Sequence, residues 1–105
     1  MPLSDQQLSE LIERIVETAH PLRIILFGSA ARGEMRMGSD VDVLVVVPDG
    51  IHRRKAAQQI SVNLVGFGLP VDVVVATPSD LERYGDSPGL IYREIVREGR
   101  ELYAA

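Results

Sequence analysis

Residues 27–46 read FGSAARGEMRMGSDVDVLVV, and this stretch decides both the fold and the placement of the polar residues. Just before it, the apolar run from Leu22 to Phe27 is stopped by Gly28, which is typical of a buried strand that ends in a turn. The second half of the stretch predicts another strand, Asp40 to Val47, which is polar at its start and apolar afterwards. The stretch therefore predicts two buried strands whose connection is rich in polar residues.

The connection between these two strands is only about a dozen residues long, which is tight for a crossover between parallel strands. We predict a short helix over Ala30 to Met35 with Ser29 as its cap, followed by a turn at Met37-Gly38-Ser39. An antiparallel first pair of strands follows from the shortness of this connection.

Further elements flank the stretch and are predicted from apolar spacing and from capping residues. They are an amphipathic helix that begins after Ser4 and ends before Pro21, a helix over about His52 to Val65, a third strand over Val71 to Ala76, a short helix from Thr77-Pro78 to about Tyr84, and a last helix stopped by Gly99. The tail Glu101-Leu102-Tyr103 is too short to assign.

The connection from Pro48 to Pro70 has room for a full helix, so the second and third strands should be parallel with a right-handed crossover. We therefore expect an α/β (α+β) fold with a small mixed sheet of three or more strands flanked by helices. The starts of the two parallel strands and the end of the antiparallel one then share an edge of the sheet. The residues that converge there are Gly28-Ser29, Asp40, Asp42 and Asp72.

Asp40 and Asp42 lie at i and i+2 of a strand, so their side chains project from one face. Two neighbouring carboxylates repel each other unless a cation sits between them, and hard oxygen ligands suit Mg²⁺ or Mn²⁺. The alternative, which the spacing alone leaves open, is that both aspartates only solvate the exposed start of a strand. Asp72 opens a valine-rich strand and needs water, a partner or a metal.

The glycine turn offers a second kind of site. Gly28 permits close approach of the backbone, and the start of the helix after it presents free N–H groups to an anion such as a triphosphate. Ser29 could serve only as a helix cap. Arg32, three residues later, could reach a phosphate or could be an ordinary exposed arginine.

The composition narrows the class of protein. The chain has 105 residues, a formal charge of −4 and no cysteine, which fits one domain over residues 1–105 in a reducing compartment, with the cytoplasm as the expected location. The acidic balance argues against broad nucleic-acid binding, and the longest apolar run, Val43 to Val47, is far too short to span a membrane. No Gly-x-x-x-x-Gly-Lys-Ser/Thr sequence occurs, which excludes a P-loop NTPase.

Gly28-Ser29, then Asp40-Val41-Asp42 after ten intervening residues, and Asp72 at the head of a later apolar strand together resemble the nucleotidyltransferase motif of the DNA polymerase beta superfamily. The chain is most similar to the minimal nucleotidyltransferases (MNT), antitoxins often encoded beside a HEPN-domain ribonuclease toxin. Pro70-Val71-Asp72-Val73-Val74 and Glu98-Gly99-Arg100-Glu101-Leu102-Tyr103 extend the resemblance over nearly the whole chain.

The resemblance implies a role for each matching residue. Asp40, Asp42 and Asp72 would be catalytic metal ligands for two Mg²⁺ ions, or Mn²⁺, while Gly28, Ser29, Arg32 and Ser39 would bind ATP. The implied reaction is transfer of AMP to a hydroxyl of a HEPN toxin. Ala30 departs from the family, in which many members carry arginine, and this change could weaken phosphate binding.

Two other functions remain open. The chain could neutralise its partner by contact alone, or it could transfer the nucleotide to a small molecule or to RNA. A protein acceptor is favoured because the motif and its sheet occupy almost all of this sequence, so that the second wall of an acceptor site would come from a partner. The sequence also leaves open a homo-oligomer.

Overall fold

The computed structural model describes residues 3–34, 40–84 and 91–105. Helices and strands alternate along these ranges in the order α1 Asp5–Ala19, β1 Arg23–Phe27, α2 Gly28–Ala31, β2 Val41–Val46, α3 Arg53–Asn63, β3 Val71–Ala76, α4 Pro78–Tyr84, α5 Ile91–Glu98 and β4 Arg100–Ala104. In these ranges no helix has both the length and the apolar character needed to cross a membrane. The predicted α/β class is confirmed.

Helix α1 begins with a capping box, and the spacing of Ser4 and Gln7 in the sequence is typical of this motif. The Ser4 hydroxyl accepts from the Gln7 N–H at 3.1 Å, and the Gln7 side chain accepts from the Ser4 N–H at 2.9 Å. The helix ends at Ala19, and the φ of +46° at the C-cap residue His20 turns the chain before Pro21. Leu8, Leu11 and Ile15 form its buried stripe.

The four strands form one mixed sheet in the order β3-β2-β1-β4. The predicted pairing of the first three strands is confirmed: β1 and β2 are antiparallel, whereas β2 and β3 are parallel with α3 between them along the chain. The start of β2, the start of β3 and the end of β1 therefore lie at the same edge.

Strand β4 contains the tail Glu101-Leu102-Tyr103, whose secondary structure cannot be assigned from the sequence alone. It pairs antiparallel with β1, with a bulge that leaves Leu102 between the pairs Ile24–Tyr103 and Ile25–Glu101. The Arg23 and Glu101 side chains join across the two strands at 3.0 Å. A half-exposed strand of five residues has little apolar alternation of its own, so its formation depends on a distant partner.

The sheet has an apolar core on each face. Val41, Val43 and Val45 of β2 point into the larger core, which α1 and α3 cover. Leu44 and Val46 point to the opposite face, where they pack with Ile95 of α5 in the smaller core. Since side chains alternate along a strand, Asp42 belongs to the face of the smaller core.

Helix α2 differs from its prediction. It spans Gly28–Ala31 rather than beginning at Ala30, and Phe27 is its N-cap residue without a side-chain capping bond. Ser29 thus lies inside the first turn, and its predicted role as the cap is wrong. The chain leaves Phe27 in an extended conformation and turns at once at Gly28, whose φ is +69°, so the helix starts earlier. Met35 and the predicted turn Met37-Gly38-Ser39 lie outside the described residues.

Helix α4 has a reciprocal cap built from Thr77 and Asp80. The Thr77 N–H and hydroxyl donate to Asp80 Oδ2 at 3.0 and 3.1 Å, and the Asp80 N–H donates to the Thr77 hydroxyl at 3.3 Å. Arg53 of α3 adds an ion pair to the same carboxylate at 2.9 Å. Burial by itself raises the pKa of Asp80, but the hydrogen bonds from Thr77 and the charge of Arg53 outweigh it and hold the pKa below its ordinary value.

We expect Asp80→Asn to lower the free energy of unfolding by about 1 kcal/mol at neutral pH, since a charged capping partner is lost. A folded-state pKa below the unfolded one means that the charge stabilises the fold above pH about 4 and that this contribution disappears as the pH falls through the folded value. Urea unfolding at pH 7, 5 and 3 measures the difference. Asp5→Asn, also in a first helical turn, is the control; an Asp80 effect that persists undiminished at pH 3 would contradict this assignment.

Candidate functional site

Three strand ends meet at the edge of the sheet where β2 and β3 begin. Asp42 is the cross-strand neighbour of Phe27 on its antiparallel side and of Asp72 on its parallel side. Adjacent strands lie about 4.8 Å apart, so Asp42 and Asp72 stand side by side on one face of the sheet. Asp40 precedes β2 by one residue and belongs to the same face by alternation.

The charge of Asp42 is destabilised by this environment. Burial raises the pKa of Asp42, and the negative charges of Asp72 and Asp40 raise it further, while Arg32 acts in the opposite direction. Asp42 is half-buried, whereas Asp40 and Asp72 are exposed. The predicted convergence of the three carboxylates is therefore present, and Asp42 is at its centre.

The donor set of this edge suits a divalent cation, although it is not closed around one. Carboxylate oxygens are the ligands that Mg²⁺ and Mn²⁺ prefer, and a cation would relieve the repulsion felt by Asp42. No three acidic or histidine side chains of the described residues already lie in a metal-binding arrangement. The exposed side chains of Asp40 and Asp72 can change rotamer at little cost, so the residues fit such an ion by chemistry and by position.

Gly28 is required by the close approach of the chain to Asp42. A Cβ atom at position 28 would collide with Asp42 Oδ2, and the φ of +69° is one that other residues rarely adopt. The glycine turn therefore passes directly over the central carboxylate. This contact joins the two parts of the motif in space.

Ser29 and Arg32 follow the glycine turn, Ser29 within α2 and Arg32 as the C-cap residue of this helix. Ser29 is half-buried, and its carbonyl accepts from the Glu34 N–H at 2.8 Å. The Arg32 side chain is exposed and donates to Glu34 at 3.1 Å, so an anion would have to compete with Glu34 for it. Ser39, the remaining predicted nucleotide-binding residue, lies outside the described residues.

Two acidic residues of α5 near Arg32 were not anticipated from the sequence. The hydrogen bond to Glu34 raises the pKa of Arg32, and the charges of Glu98 and Glu94 act in the same direction. Glu94 and Glu98 are four residues apart on α5 and so share one side of it. That spacing was visible in the sequence, but the placement of α5 near Arg32 was not.

Comparison with known proteins agrees with this geometry. A family model described as the nucleotidyltransferase domain matches residues 8–102. No curated protein matches the sequence.

Several solved structures share the fold. A protein from Sulfolobus solfataricus, provisionally identified as a nucleotidyltransferase, is 20% identical, with a TM-score of 0.63 over 94% of this chain and 78% of that one. A toxin–antitoxin structure with AMP-PNP gives 23% identity and a TM-score of 0.59 over 98% and 75%. A complex of a tri-AMPylated Shewanella oneidensis HEPN toxin with an MNT antitoxin gives 19% and 0.60 over 98% and 74%.

The contact between Gly28 and Asp42 is open to a matched test. Gly28→Ala and Gly33→Ala both place alanine at a positive φ, of +69° and +71°, but no described atom lies within 4 Å of a Cβ at position 33. Both variants should lose about 1–2 kcal/mol to backbone strain, and Gly28→Ala should lose at least about 1 kcal/mol more from the collision.

Urea unfolding of both variants measures the difference in their free energies of unfolding. The same two glycine substitutions, each combined with Asp42→Ala, test whether the Asp42 side chain causes this difference. The extra cost of Gly28→Ala should shrink when the Asp42 side chain is removed, because the colliding atoms are then absent. Equal costs for the two glycine substitutions, or an extra cost indifferent to Asp42→Ala, would show that Gly28 is not needed for this contact.

Proposed function

The chain belongs to the nucleotidyltransferase domain family, and from this premise we propose that it transfers AMP from ATP to a hydroxyl group of a partner protein. The observation that carries the proposal is the edge at which Asp42 stands between Asp72 and the glycine turn. There carboxylates for metal ions and a backbone turn for phosphates lie next to each other.

We propose that Asp40, Asp42 and Asp72 hold two divalent cations, Mg²⁺ or Mn²⁺. Such ions, when bound, stabilise the attacking and leaving oxygens of an in-line displacement at phosphorus. The half-buried Asp42, which lies between Asp40 and Asp72, would hold the ions together with these two residues. Burial, followed by the negative charges of Asp72 and Asp40, raises the pKa of Asp42, and a cation bound beside it would offset the repulsion from those two charges.

In the proposed reaction the acceptor hydroxyl oxygen forms a bond to the α-phosphorus of ATP, and the bond from that phosphorus to the oxygen bridging to the β-phosphorus breaks. Pyrophosphate leaves, and Asp72 takes the proton of the acceptor hydroxyl. Asp72 suits this role because it is exposed at the edge strand β3, where an acceptor can approach.

The phosphate side of the proposed site is formed by the glycine turn. Gly28 lets a triphosphate approach the backbone above Asp42, and Ser29 offers its hydroxyl in the first turn of α2. Arg32 would exchange Glu34 for a phosphate oxygen, which is also a charged acceptor that arginine can bind. Ser39 is proposed for the same side on the resemblance alone.

For the partner we propose a HEPN-domain toxin. Support comes from the neighbours of this fold: one is an MNT antitoxin in complex with a tri-AMPylated HEPN toxin, and another is a toxin–antitoxin structure with AMP-PNP. An added AMP phosphodiester would place negative charge where an RNA-cutting protein holds phosphate. We propose the cytoplasm as the compartment.

Asp42→Asn should reduce AMP transfer at least ~100-fold while leaving the fold intact, because it removes a metal-binding charge and no packing. Asp40→Asn and Asp72→Asn should lose transfer as well. The measurement is intact-mass spectrometry of a HEPN-domain toxin incubated with this chain, ATP and Mg²⁺, to detect additions of the mass of AMP. Asp5→Asn removes a surface carboxylate at the start of α1 and is the matched control.

The same experiment separates the proposal from its rivals. Wild-type transfer by Asp42→Asn would overturn the proposed mechanism. A partner that stays unmodified yet is inhibited in the isolated complex would establish neutralisation by contact. Efficient modification of an aminoglycoside or of transfer RNA would preserve the reaction class and replace the acceptor.

A further inference from the structure

Helix α3 differs in charge from the rest of the chain. Its sequence, RRKAAQQISVN, contains three basic residues and no acidic one, while the chain as a whole carries a formal charge of −4. Basic side chains at a helix N-terminus are unfavourable with respect to the helix dipole. Stability of α3 therefore does not account for their position.

The three basic residues of α3 differ in their ion pairing. Arg53 is paired with Asp80 at 2.9 Å, whereas neither Arg54 nor Lys55 makes an ion pair with any residue in the described part of the chain. Both side chains are exposed. They are available to an anionic partner.

The same side of α3 also carries exposed apolar side chains. Ala56 and Ile60 face the core, so the helical period places Arg54, Gln58 and Val62 on the outer face. Val62 is 72% exposed, and Val65, just after the helix, is 77% exposed. Ile51, just before the helix, is 48% exposed. Of the four large hydrophobic side chains exposed within the described ranges, only Leu22 lies elsewhere.

A recess lies at the positive end of this face. It is open, has a volume of about 410 Å³ and is lined by Ile51, His52, Arg53 and Arg54. An apolar side chain could enter it beside Ile51 while a carboxylate contacts Arg54. This combination fits an acidic protein segment better than a bare phosphate chain, which has no apolar group for Ile51.

The opposite end of the face is held in place by Arg14 of α1. The Arg14 guanidinium donates to the carbonyls of Asn63 and Val65 at 3.1 and 3.0 Å, and the Asn63 amide donates to the Arg14 carbonyl at 2.8 Å. The C-terminal end of α3, where Val62 and Val65 lie, is therefore fixed to α1. A preorganised surface loses little entropy when it binds a partner.

We propose that the outer face of α3, defined by Ile51, Arg54, Lys55, Gln58, Val62 and Val65, is a docking surface for an acidic amphipathic helix of a partner protein. The segment from Ile51 to Val65 is about 20 Å long at helical rise, which matches about four turns of a partner helix. Apolar side chains of that helix would contact Ile51, Val62 and Val65, and its carboxylates would face Arg54 and Lys55.

The proposed docking surface lies on the other side of the sheet from Asp42, because α3 covers the core of Val41, Val43 and Val45. A helix bound there leaves the carboxylate edge uncovered. The inference consequently does not depend on nucleotide transfer, and Asp42→Asn should leave docking unchanged.

The test uses two synthetic peptides of about 18 residues with leucines at helical i, i+3, i+4 spacing, one with glutamates at the other positions and one with lysines. Each is titrated into the ¹⁵N-labelled full chain while amide peaks are followed by NMR. The acidic peptide should shift peaks at the six residues of the docking surface, and the basic peptide should not. Affinity should fall at least ~10-fold in Arg54→Glu/Lys55→Glu and in Val62→Ser/Val65→Ser.

Two matched controls make the same kinds of change, one in charge and one in hydrophobicity, outside the docking surface. Arg97→Glu changes an exposed basic residue of α5, and Leu22→Ser changes the exposed leucine outside the docking surface; both should bind like the wild type, as should Asp42→Asn. Unchanged melting temperatures show that the variants fold.

Three results would overturn the proposal. One is the absence of peak shifts on α3 with the acidic peptide, or equal shifts with the basic one. Another is a single-stranded RNA that shifts the same peaks at lower concentration, which would make the surface a nucleic-acid site. The third is self-association of the free chain that Val62→Ser/Val65→Ser abolishes, which would make a second copy the occupant.

Discussion

The parallel register between β2 and β3 pairs Asp42 with Asp72, and the candidate site depends on this like-charged pair. Such a pair is destabilising by itself, because the two like charges repel each other and Asp42 is half-buried. The cost is offset by the rest of the two strands, where every later register pair joins apolar residues, from Val43–Val73 to Val46–Ala76. The apolar body of the sheet thus holds in place an edge that would not form alone.

Much of this architecture was predictable because its signals are local. The capping box of Ser4 and Gln7, the proline after Thr77 and the valine run after Asp72 each report on neighbours a few residues away. The lengths of two connections then decided which strands are parallel. Together these local signals and connection lengths predict that Gly28, Asp42 and Asp72 lie at one edge of the sheet.

What escaped prediction depends on contacts between distant parts of the chain. Strand β4 exists because β1 offers it a partner, and its residues carry too little alternation to indicate this. The position of Ser29 depends on how sharply the chain turns at Gly28, which follows from the approach to Asp42. The acidic residues of α5 act on Arg32 only because the fold brings them near it. Arg32 is consequently shared between carboxylates of the edge and carboxylates of its surroundings, and a phosphate would have to displace the latter.

The pairing of β1 with β4 also has a consequence for folding kinetics. Arg23 and Glu101, which join across these strands, are 78 positions apart in the chain, and contacts of such separation form slowly because a large loop must first close. The pair β1–β2 requires only a short connection, and β3 follows after one helical crossover. We therefore expect the carboxylate edge to assemble early in folding, with β4, and α5 immediately before it, docking in a later step. Glu94 and Glu98 of α5 would then come near Arg32 only after the carboxylates of the edge are in place.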